Sequence, residues 1–483
     1  MNPNKKAFYI TTTLPYVNSD PHIGFAMELV RADAIARYKK LIGCEVFFNT
    51  GTDEHGQKLL KGAEREGVPV QDYVDKYAEK FKELKDILNI YPDVHFVRTT
   101  DAHHVNSAQA FWKLCDQNGY IYKKKYQTKY CVGCELEKTD SELDQAGQCA
   151  IHPNNQIELI DEENYFFKFS AFQEKLVNFY KDNPDFVIPD FRFGEIRSFV
   201  GRGLEDFSIS RLKSKMSWGV PVPGDEEHVM YVWFDALVSY ISTLGWPEDM
   251  ENFNKFWIEG MTVQYAGKDN LRQQSAMWQA MLMAAGLPNS KQIVINGFIT
   301  GDGGVKMSKS IGNVVNPVDI VNEYGTDALR YFLLRELSSF EDSPFTMERF
   351  KEAYNSGLAN GLGNLASRIL TLSEKYLDKT PAIPETSDFT EYFKFYDNFD
   401  IKGAADDVWK EIALLDGYIQ ANEPFKVVKV DLEKGKQMIS YLVVELYKIA
   451  RMLNPILPET NEILKKLIKE NKKPENPLFL RKD

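Results

Sequence analysis

The amino-acid sequence predicts an α/β chain in which an inserted segment splits a parallel sheet and a bundle of helices follows. Three observations predict it: a strand, a helix and a second strand near the amino terminus, a polar turn-rich stretch after them, and helical spacing of apolar residues toward the end. The 483 residues are 43% hydrophobic, 13% aromatic and 27% charged, so disordered and collagen-like classes are excluded. At roughly 150 residues per domain, this length indicates about three domains.

The first elements form a strand-helix-strand unit. Residues 7–12 are β-prone, a helical pattern spans about residues 22–41, and residues 44–49 predict the next strand. Such a unit belongs to a parallel sheet, whose ligands bind beyond the carboxyl ends of the strands. We therefore expect the loops at residues 14–24 and 50–56 to lie at the ligand site.

The composition of the sequence changes after Gly119-Tyr120, where a polar, turn-rich insertion begins. We expect this insertion to stay irregular until about Trp218. Strand and helix patterns return at residues 230–242 and continue at residues 263–267 and 293–300. The second half of the sheet resumes there, so the fold class is a split Rossmann-like nucleotide fold.

From about Tyr354 the pattern is helical, and it predicts a C-terminal α-helical bundle. Its clearest apolar stripe contains Ile439, Leu442, Val443, Leu446, Ile449, Ala450 and Leu453. The predicted segments are residues 1–117 (first half of the Rossmann-like domain), 118–229 (connective insertion), 230–318 (second half of the Rossmann-like domain), 319–355 (a linking segment) and 356–483 (the helical bundle).

Charge and hydropathy narrow the class of protein further. Lys and Arg number 58 against 70 Asp and Glu, a net charge of −12, which argues against a nucleic-acid binder held by overall basicity but not against local basic patches. A run of about 18 apolar residues and a signal-peptide core are both missing from the sequence. We expect a cytoplasmic protein without a membrane partner.

Four potential metal ligands lie in the insertion as two short pairs, Cys131-x2-Cys134 and Cys149-x2-His152. Three thiolates and one imidazole fill a tetrahedral shell, which is typical of structural Zn²⁺ rather than of a catalytic ion with an open position. Five cysteines are an odd and sparse set for a disulfide framework. We expect a zinc knuckle that orders a segment too polar to fold on its own core.

Two motifs suit a nucleoside triphosphate. Pro21-His22-Ile23-Gly24 begins a helix after a strand, where an imidazole and free backbone N–H groups form an anion site, although many such helix starts are only structural. Lys306-Met307-Ser308-Lys309-Ser310 lies among glycines, and its two lysines can close over a triphosphate and neutralise charge as pyrophosphate leaves. A plain basic loop would look similar to this second motif.

Together the two motifs resemble the HIGH and KMSKS signatures of class I aminoacyl-tRNA synthetases. Further stretches resemble the methionyl-tRNA synthetase family over nearly the whole chain: Leu14-Pro15-Tyr16-Val17-Asn18, Thr52-Asp53-Glu54-His55-Gly56, Ser208-Ile209-Ser210-Arg211, Trp218-Gly219-Val220-Pro221-Val222-Pro223, Tyr231-Val232-Trp233-Phe234-Asp235-Ala236, Gly267-Lys268-Asp269 and Asn364-Leu365-Ala366-Ser367-Arg368. Phe25 departs from the signature, which ends in His, and Phe has no donor for phosphate.

The resemblance implies a methionine pocket and an ATP site. An apolar aromatic wall suits a thioether, and a carboxylate at Asp53 suits the substrate ammonium. The implied methionine-binding residues are Leu14, Tyr16, Asp53, Trp233, Ala236, Tyr240 and Gln274, the last standing where the family has a His. The implied ATP-binding residues are His22, Gly24, Gly267, Asp269, Lys306 and Lys309, of which His22, Lys306 and Lys309 are catalytic. Core packing of Trp233 and Tyr240 and helix capping by Asp269 are the structural alternatives.

For tRNA, the resemblance implies anticodon reading by Asn364, Arg368 and Phe425. Asn364 and Arg368 are four residues apart, hence on one face of a helix, and Phe425 stands where the family has a stacking Trp. The bundle at residues 356–483 is then the anticodon-binding domain, and residues 319–355 contact the tRNA stem. Exposed Asn and Arg on any helix look alike, so the residues alone leave this open.

The implied function is ATP-dependent ligation of L-methionine to methionine tRNA through methionyl-adenylate. The implied ions are a structural Zn²⁺ and the Mg²⁺ that accompanies ATP, and we expect a monomer. One alternative is a catalytically weakened paralog that serves as a tRNA-binding module, motivated by Phe25, Gln274 and Phe425. A small-molecule nucleotidyltransferase is a second alternative, which leaves the C-terminal bundle unexplained.

Overall fold

The computed structural model describes residues 6–133, 136–138, 143–144, 146–149, 151–153, 156–305, 307, 315–384 and 388–482. The chain divides into two compact units, each assembled from three stretches. The first unit contains Met1–Asp20, Val46–Lys82 and Asp93–Ile295, and the second contains Pro21–Glu45, Glu83–Pro92 and Asn296–Asp483. The predicted site residues Cys134, Lys306 and Lys309 lie outside the described residues.

Strands and helices alternate along the chain as far as residue 300, and the rest of the chain is mostly helical. The strands are β1 (Ala7–Thr11), β2 (Glu45–Thr52), β3 (His95–Arg98), β4 (Ile121–Cys131), β5 (Leu136–Lys138), β6 (Ile157–Phe167), β7 (Val187–Ile188), β8 (Phe207–Ser208), β9 (Ser210–Leu212), β10 (Pro221–Val222), β11 (Asp225–Met230), β12 (Met261–Gly267), β13 (Gln292–Asn296), β14 (Ile299–Thr300) and β15 (Ser343–Pro344). The α-helices are α1 (Ile23–Leu41), α2 (Gln57–Glu66), α3 (Val70–Ile87), α4 (Ala102–Gln117), α5 (Gln173–Asp182), α6 (Asp190–Gly201), α7 (Val232–Ala236), α8 (Ser239–Ser242), α9 (Met250–Asn252), α10 (Trp278–Ala285), α11 (Pro317–Tyr324), α12 (Thr326–Tyr331), α13 (Met347–Ala353), α14 (Asn364–Tyr376), α15 (Thr390–Asp397), α16 (Ile401–Asn422), α17 (Pro424–Val430), α18 (Leu432–Met452) and α19 (Pro458–Glu470).

A six-stranded sheet forms the centre of the first unit, in the order β3, β2, β1, β12, β13 and β7. β1 runs parallel to β12, from Phe8 opposite Met261 to Thr11 opposite Gln264, and the β2–β3 and β13–β7 pairs are parallel as well. β1 is almost entirely buried, as expected for a strand covered on both faces. The parallel sheet and the long interruption between β3 and β12 confirm the predicted α/β fold class.

The inserted segment is more regular than the sequence indicated, and the expectation of an irregular stretch up to Trp218 is wrong. β4 and β6 are eleven residues each and pair antiparallel, from Ile121 opposite Phe167 to Cys131 opposite Ile157. β4 contains three consecutive exposed lysines, residues 123–125, and an antiparallel sheet can leave one face in water. This polar run obscured the strand pattern. The segment also contributes to the core, since Phe167 stacks on Phe172 with ring centres 5.6 Å apart and both rings fully buried.

The second unit confirms the predicted helical bundle. Asp431 caps the start of α18, its carboxylate accepting a hydrogen bond from the Lys434 N–H, and α14, α16, α17 and α19 pack against α18. Every member of the predicted apolar stripe is buried: Ile439, Leu442, Val443, Leu446, Ile449, Ala450 and Leu453. Among the described residues, a helix with both the length and the apolar content needed to cross a membrane is not found.

α1 belongs to the second unit, where a buried ion pair fixes it. Arg330 on α12 lies 2.7 Å from Asp33 on α1, nitrogen to oxygen, and both side chains are fully buried. The same guanidinium donates to the carbonyls of Leu88 and Ile456. Because breaking a buried pair by removing one partner costs about 3–5 kcal/mol, this contact holds in place the helix that follows His22.

Candidate active site and metal centre

The loop after β2 carries Asp53, whose side chain is buried. Its backbone pairs with the segment after β1: Tyr16 and Asp53 form a parallel bridge, and the Asp53 N–H donates to the Pro15 carbonyl at 2.9 Å. Leu14 and Tyr16 are half-buried. The fold therefore brings the predicted ammonium partner next to two predicted wall residues, within the first unit.

Glu54, the next residue, fixes this loop through a dense set of hydrogen bonds. Its fully buried carboxylate accepts from the Arg98 guanidinium at 2.7 and 2.8 Å. The hydroxyls of Thr52 and Thr100 donate to it at 2.6 and 2.5 Å, and its carbonyl accepts from the Trp218 indole at 2.5 Å. A buried carboxylate is tolerated when it is paired and hydrogen-bonded in this way. The loop that holds Asp53 is thus clamped from several directions.

The second group of candidate wall residues lies on α7 and on α8, which follows it. Trp233 and Ala236 on α7 are half-buried, whereas Tyr240 is buried. The Trp233 Nε1 is buried, and the described residues provide it with no acceptor. Gln274 donates from Nε2 to the Tyr240 hydroxyl at 2.5 Å and accepts at Oε1 from Gln264 at 3.0 Å. Its amide therefore holds Tyr240 in place.

Sequence reasoning missed several titratable side chains that lie in this region. Asp235 on α7 is fully buried and contacts His55, two residues after Asp53, and His104 on α4. Asp235 and His55 lie inside stretches that carry the family resemblance, and this was the signal available for them. His104 and Arg98 lie in no such stretch, so no sequence signal pointed to either of them.

The predicted ribose contact lies at the end of β12. Gly267 is buried and ends the strand, and Asp269 is exposed in the short turn Lys268–Asn270 that follows. The Asn270 amide donates to the Asp269 carboxylate at 3.3 Å. An exposed carboxylate just beyond the carboxyl end of a parallel strand is well placed for the hydroxyls of a ribose.

His22 is the N-cap of α1 and is exposed. Its Nδ1 accepts a hydrogen bond from the Gly24 N–H at 3.1 Å, so the neutral ring carries its proton on Nε2. A Cβ on residue 24 would come within 3.0 Å of the His22 ring. Gly24 therefore makes room for the capping imidazole, which presents an N–H donor on its other side.

The expectation of free backbone N–H groups at this helix start is wrong. The Ile23 N–H donates to the Val315 carbonyl at 3.0 Å, and the Phe25 N–H donates to the His22 carbonyl at 3.0 Å. Together with the Gly24 contact, the chain itself uses the first N–H groups of α1. Phe25 is buried, so its departure from the HIGH signature places a ring in the interior.

Three of the four predicted zinc ligands lie together. The ligand atoms of Cys131, Cys149 and His152 are all within 4.8 Å of one another. Cys131 ends β4, Cys149 forms an isolated bridge with Leu143, and the His152 N–H donates to the Cys149 carbonyl at 3.0 Å. Two sulfurs and one imidazole at this spacing fit Zn²⁺, for which Zn–S is about 2.3 Å and Zn–N about 2.0–2.1 Å.

The predicted anticodon residues lie on helices of the second unit. Asn364 begins α14 and is exposed, and Arg368 lies one turn further on. The Arg368 guanidinium contacts the Asp416 carboxylate on α16 at 2.5 Å. Phe425, near the start of α17, is 38% exposed, and an exposed aromatic ring suits stacking on a base.

Known proteins resemble this chain over most of its length. The family model described as tRNA synthetases class I (M) matches residues 8–156 and 137–370. The methionine–tRNA ligase of Thermotoga maritima is 39% identical, over 97% of this chain and 76% of that protein. The methionine–tRNA ligase of Streptomyces coelicolor is 40% identical, over 95% of this chain and 89% of that protein.

Solved structures resemble it as well. The methionyl-tRNA synthetase of Mycobacterium tuberculosis in complex with methionyl-adenylate is similar with a TM-score of 0.89 and 34% identity, over 95% of this chain and 93% of that one. The apo form of the same synthetase has a TM-score of 0.84 and 30% identity, over 100% of this chain and 99% of that one.

Proposed function

We infer that this chain, which belongs to the methionyl-tRNA synthetase family of the class I aminoacyl-tRNA synthetases, ligates L-methionine to methionine tRNA. The observation that carries this conclusion is its likeness, along nearly the whole chain, to a synthetase bound to methionyl-adenylate. In the first step the methionine carboxylate attacks the α-phosphorus of ATP, which gives methionyl-adenylate and pyrophosphate. In the second step a terminal ribose hydroxyl of the tRNA attacks the acyl carbon, and AMP leaves.

Methionine binding is assigned to residues of the first unit. We propose that Asp53 pairs with the substrate ammonium, which is supported by its burial in a loop clamped by Glu54 and Arg98. Charge-assisted hydrogen bonds are stronger than neutral ones, so a buried carboxylate is an effective partner for a cation. Leu14, Tyr16, Trp233, Ala236 and Tyr240 form the apolar wall for the thioether, and Gln274 acts on methionine through Tyr240.

ATP activation needs alignment and charge stabilisation rather than a covalent intermediate. We propose that the Nε2–H of His22 donates to the phosphates, supported by the tautomer that the Gly24 contact imposes. Lys306 and Lys309 neutralise charge as pyrophosphate departs. Gly24 and Gly267 permit close approach of the nucleotide, and Asp269 accepts from the ribose hydroxyls.

Two ions accompany these roles. Zn²⁺ would be held by Cys131, Cys149 and His152, with Cys134 as the fourth ligand, and would supply structural order to the insertion without taking part in the reaction. Mg²⁺ would accompany ATP and would supply charge neutralisation at the phosphates. The cluster of two cysteines and a histidine supports the first assignment.

For tRNA we propose that Asn364, Arg368 and Phe425 read the anticodon, supported by exposure of the first and last of these and by the shared helix of the first two. The bundle at residues 356–483 is then the anticodon-binding domain, and residues 319–355 contact the stem. We further propose a monomer, which light scattering can check, acting in the cytoplasm, where charged tRNA is consumed.

A charging assay tests this function. Purified chain, ATP and labelled methionine should convert methionine tRNA to its aminoacylated form, whereas tRNAs with other anticodons should stay uncharged. A weakened paralog acting as a tRNA-binding module, which Phe25 favours as a lost donor, would bind the same tRNA without charging it. Binding without charging would therefore support that second candidate.

A further inference from the structure

A buried carboxylate and two imidazoles form a cluster that none of the roles above uses. The Oδ2 of Asp235 lies 2.6 Å from His55 Nδ1, and its Oδ1 lies 2.8 Å from His104 Nε2. On the other side of its ring, His104 Nδ1 lies 2.9 Å from the Ser242 hydroxyl. Burial raises the pKa of Asp235, but the two imidazoles lower it overall to about 2. Asp235 is therefore a carboxylate at neutral pH, and each of its oxygens accepts from one histidine.

The cluster joins three segments that are distant along the chain. His55 belongs to the loop of Asp53, Asp235 lies on α7 two residues after Trp233, and the second imidazole comes from α4. α7 has only five residues, and isolated helices shorter than about 12 residues are marginal in water. The position of α7 relative to the Asp53 loop therefore depends on side-chain contacts, and the contact between Asp235 and His55 joins the two segments directly.

We propose that Asp235 is a positioning residue of the methionine pocket, which acts through His55 to hold Trp233 at a set distance from the carboxylate of Asp53. The proposal rests on the proposed function, because that function places methionine between these two residues. A carboxylate whose two oxygens accept from two fixed donors restrains both the distance and the rotation of the short helix that bears it.

The cluster also bears on the proposed binding of the substrate ammonium by Asp53. Three carboxylates lie close together in this part of the first unit, on Asp53, Glu54 and Asp235. The Arg98 guanidinium pairs with the Glu54 carboxylate, and the two imidazoles occupy both oxygens of Asp235 as hydrogen-bond partners. Neither of these two carboxylates then competes with Asp53 for the cationic group of the substrate.

Two substitutions of His55 test the proposal. His55→Ala removes the donor to Asp235, whereas His55→Asn places an amide nitrogen near the position of Nδ1 and keeps it. In methionine-dependent ATP–pyrophosphate exchange we expect His55→Ala to raise the KM for methionine about tenfold, since a hydrogen bond to a charged group is lost. The KM for ATP should change less than about twofold, and His55→Asn should recover most of the methionine KM.

A matched control is available in the same unit. His228 is another buried histidine, whose Nδ1 lies 3.0 Å from a carboxylate oxygen of Asp225 in the inserted segment. His228→Ala should leave both KM values unchanged. Should His55→Ala fail to fold, Asp235→Asn keeps the side-chain shape and one acceptor, and it must still raise the methionine KM alone.

Three results would overturn the proposal: an unchanged methionine KM in the folded variants, an equal rise of both KM values, or equal losses in His55→Ala and His55→Asn. The last result would mean that the volume of the ring matters rather than its hydrogen bond. Absence of methionine-dependent exchange in the unmodified protein would instead refute the proposed function itself.

Discussion

The two roles assigned to His22 can be separated by substitution. Its Nδ1 caps α1 through one hydrogen bond, 3.1 Å from the Gly24 nitrogen, and its Nε2–H is the proposed phosphate donor. His22→Ala removes both, so we expect a loss of about 1 kcal/mol of stability from the cap and of about 3 kcal/mol of transition-state stabilisation, or roughly 10²-fold in adenylate formation. His22→Asn separates the two effects, because Asn is among the best capping residues but has no imidazole.

Denaturant unfolding and single-turnover adenylate formation measure the two effects independently. We expect His22→Asn to unfold within about 0.5 kcal/mol of the unmodified protein while losing about as much rate as His22→Ala. A fast His22→Asn variant would refute the imidazole as the phosphate donor. An unaltered stability of His22→Ala would refute the cap as a stabilising contact.

Three further predictions concern the metal, the tRNA and pH. Metal analysis of protein purified without chelator should find about one Zn²⁺ per chain, and Cys149→Ser should lose it; a metal-free protein with a folded insertion would contradict the assignment. Arg368→Ala should impair charging of methionine tRNA and leave ATP–pyrophosphate exchange intact, and equal losses would make Arg368 structural. Because the histidines lower the pKa of Asp235 from 3.8 to about 2, its contribution to stability is complete above about pH 4 and is lost as pH falls toward 2. Between about pH 4 and pH 2 the free energy of unfolding of Asp235→Asn should therefore fall by roughly 2 kcal/mol less than that of the unmodified protein. An equal fall in both proteins would show that the pKa of Asp235 is not lowered.

Local periodicity predicted most of the fold. The strand-helix-strand start and the stripe of α18 follow from spacing within a few residues, and both are as expected. The antiparallel pairing of β4 and β6 was missed because the exposed lysines of β4 break its apolar pattern. The N–H groups at the start of α1 were expected to be free, but the Ile23 N–H meets the carbonyl of Val315, which is far along the chain.

At the candidate site, too, local sequence patterns pointed to some residues, whereas contacts between distant segments were missed. His22 was proposed from a short motif that carries chemistry and Asp53 from the family resemblance, whereas the residues that hold the Asp53 loop were not predicted. Glu54 pairs with Arg98 at a sequence separation of 44, and Asp235 contacts His55 at a separation of 180. A single sequence carries no signal for such pairs, because they depend on how the strands and helices pack together.

ATP–pyrophosphate exchange on the unmodified protein, measured with each amino acid in turn, is the direct test of whether this chain activates methionine. We expect exchange with methionine and at most weak exchange with other amino acids, in the absence of tRNA. A modest rate is consistent with this expectation, since Phe25 supplies no donor where the HIGH signature has its second histidine. No exchange with methionine above background, in a folded protein that still binds methionine tRNA, would contradict the claim that this chain activates methionine.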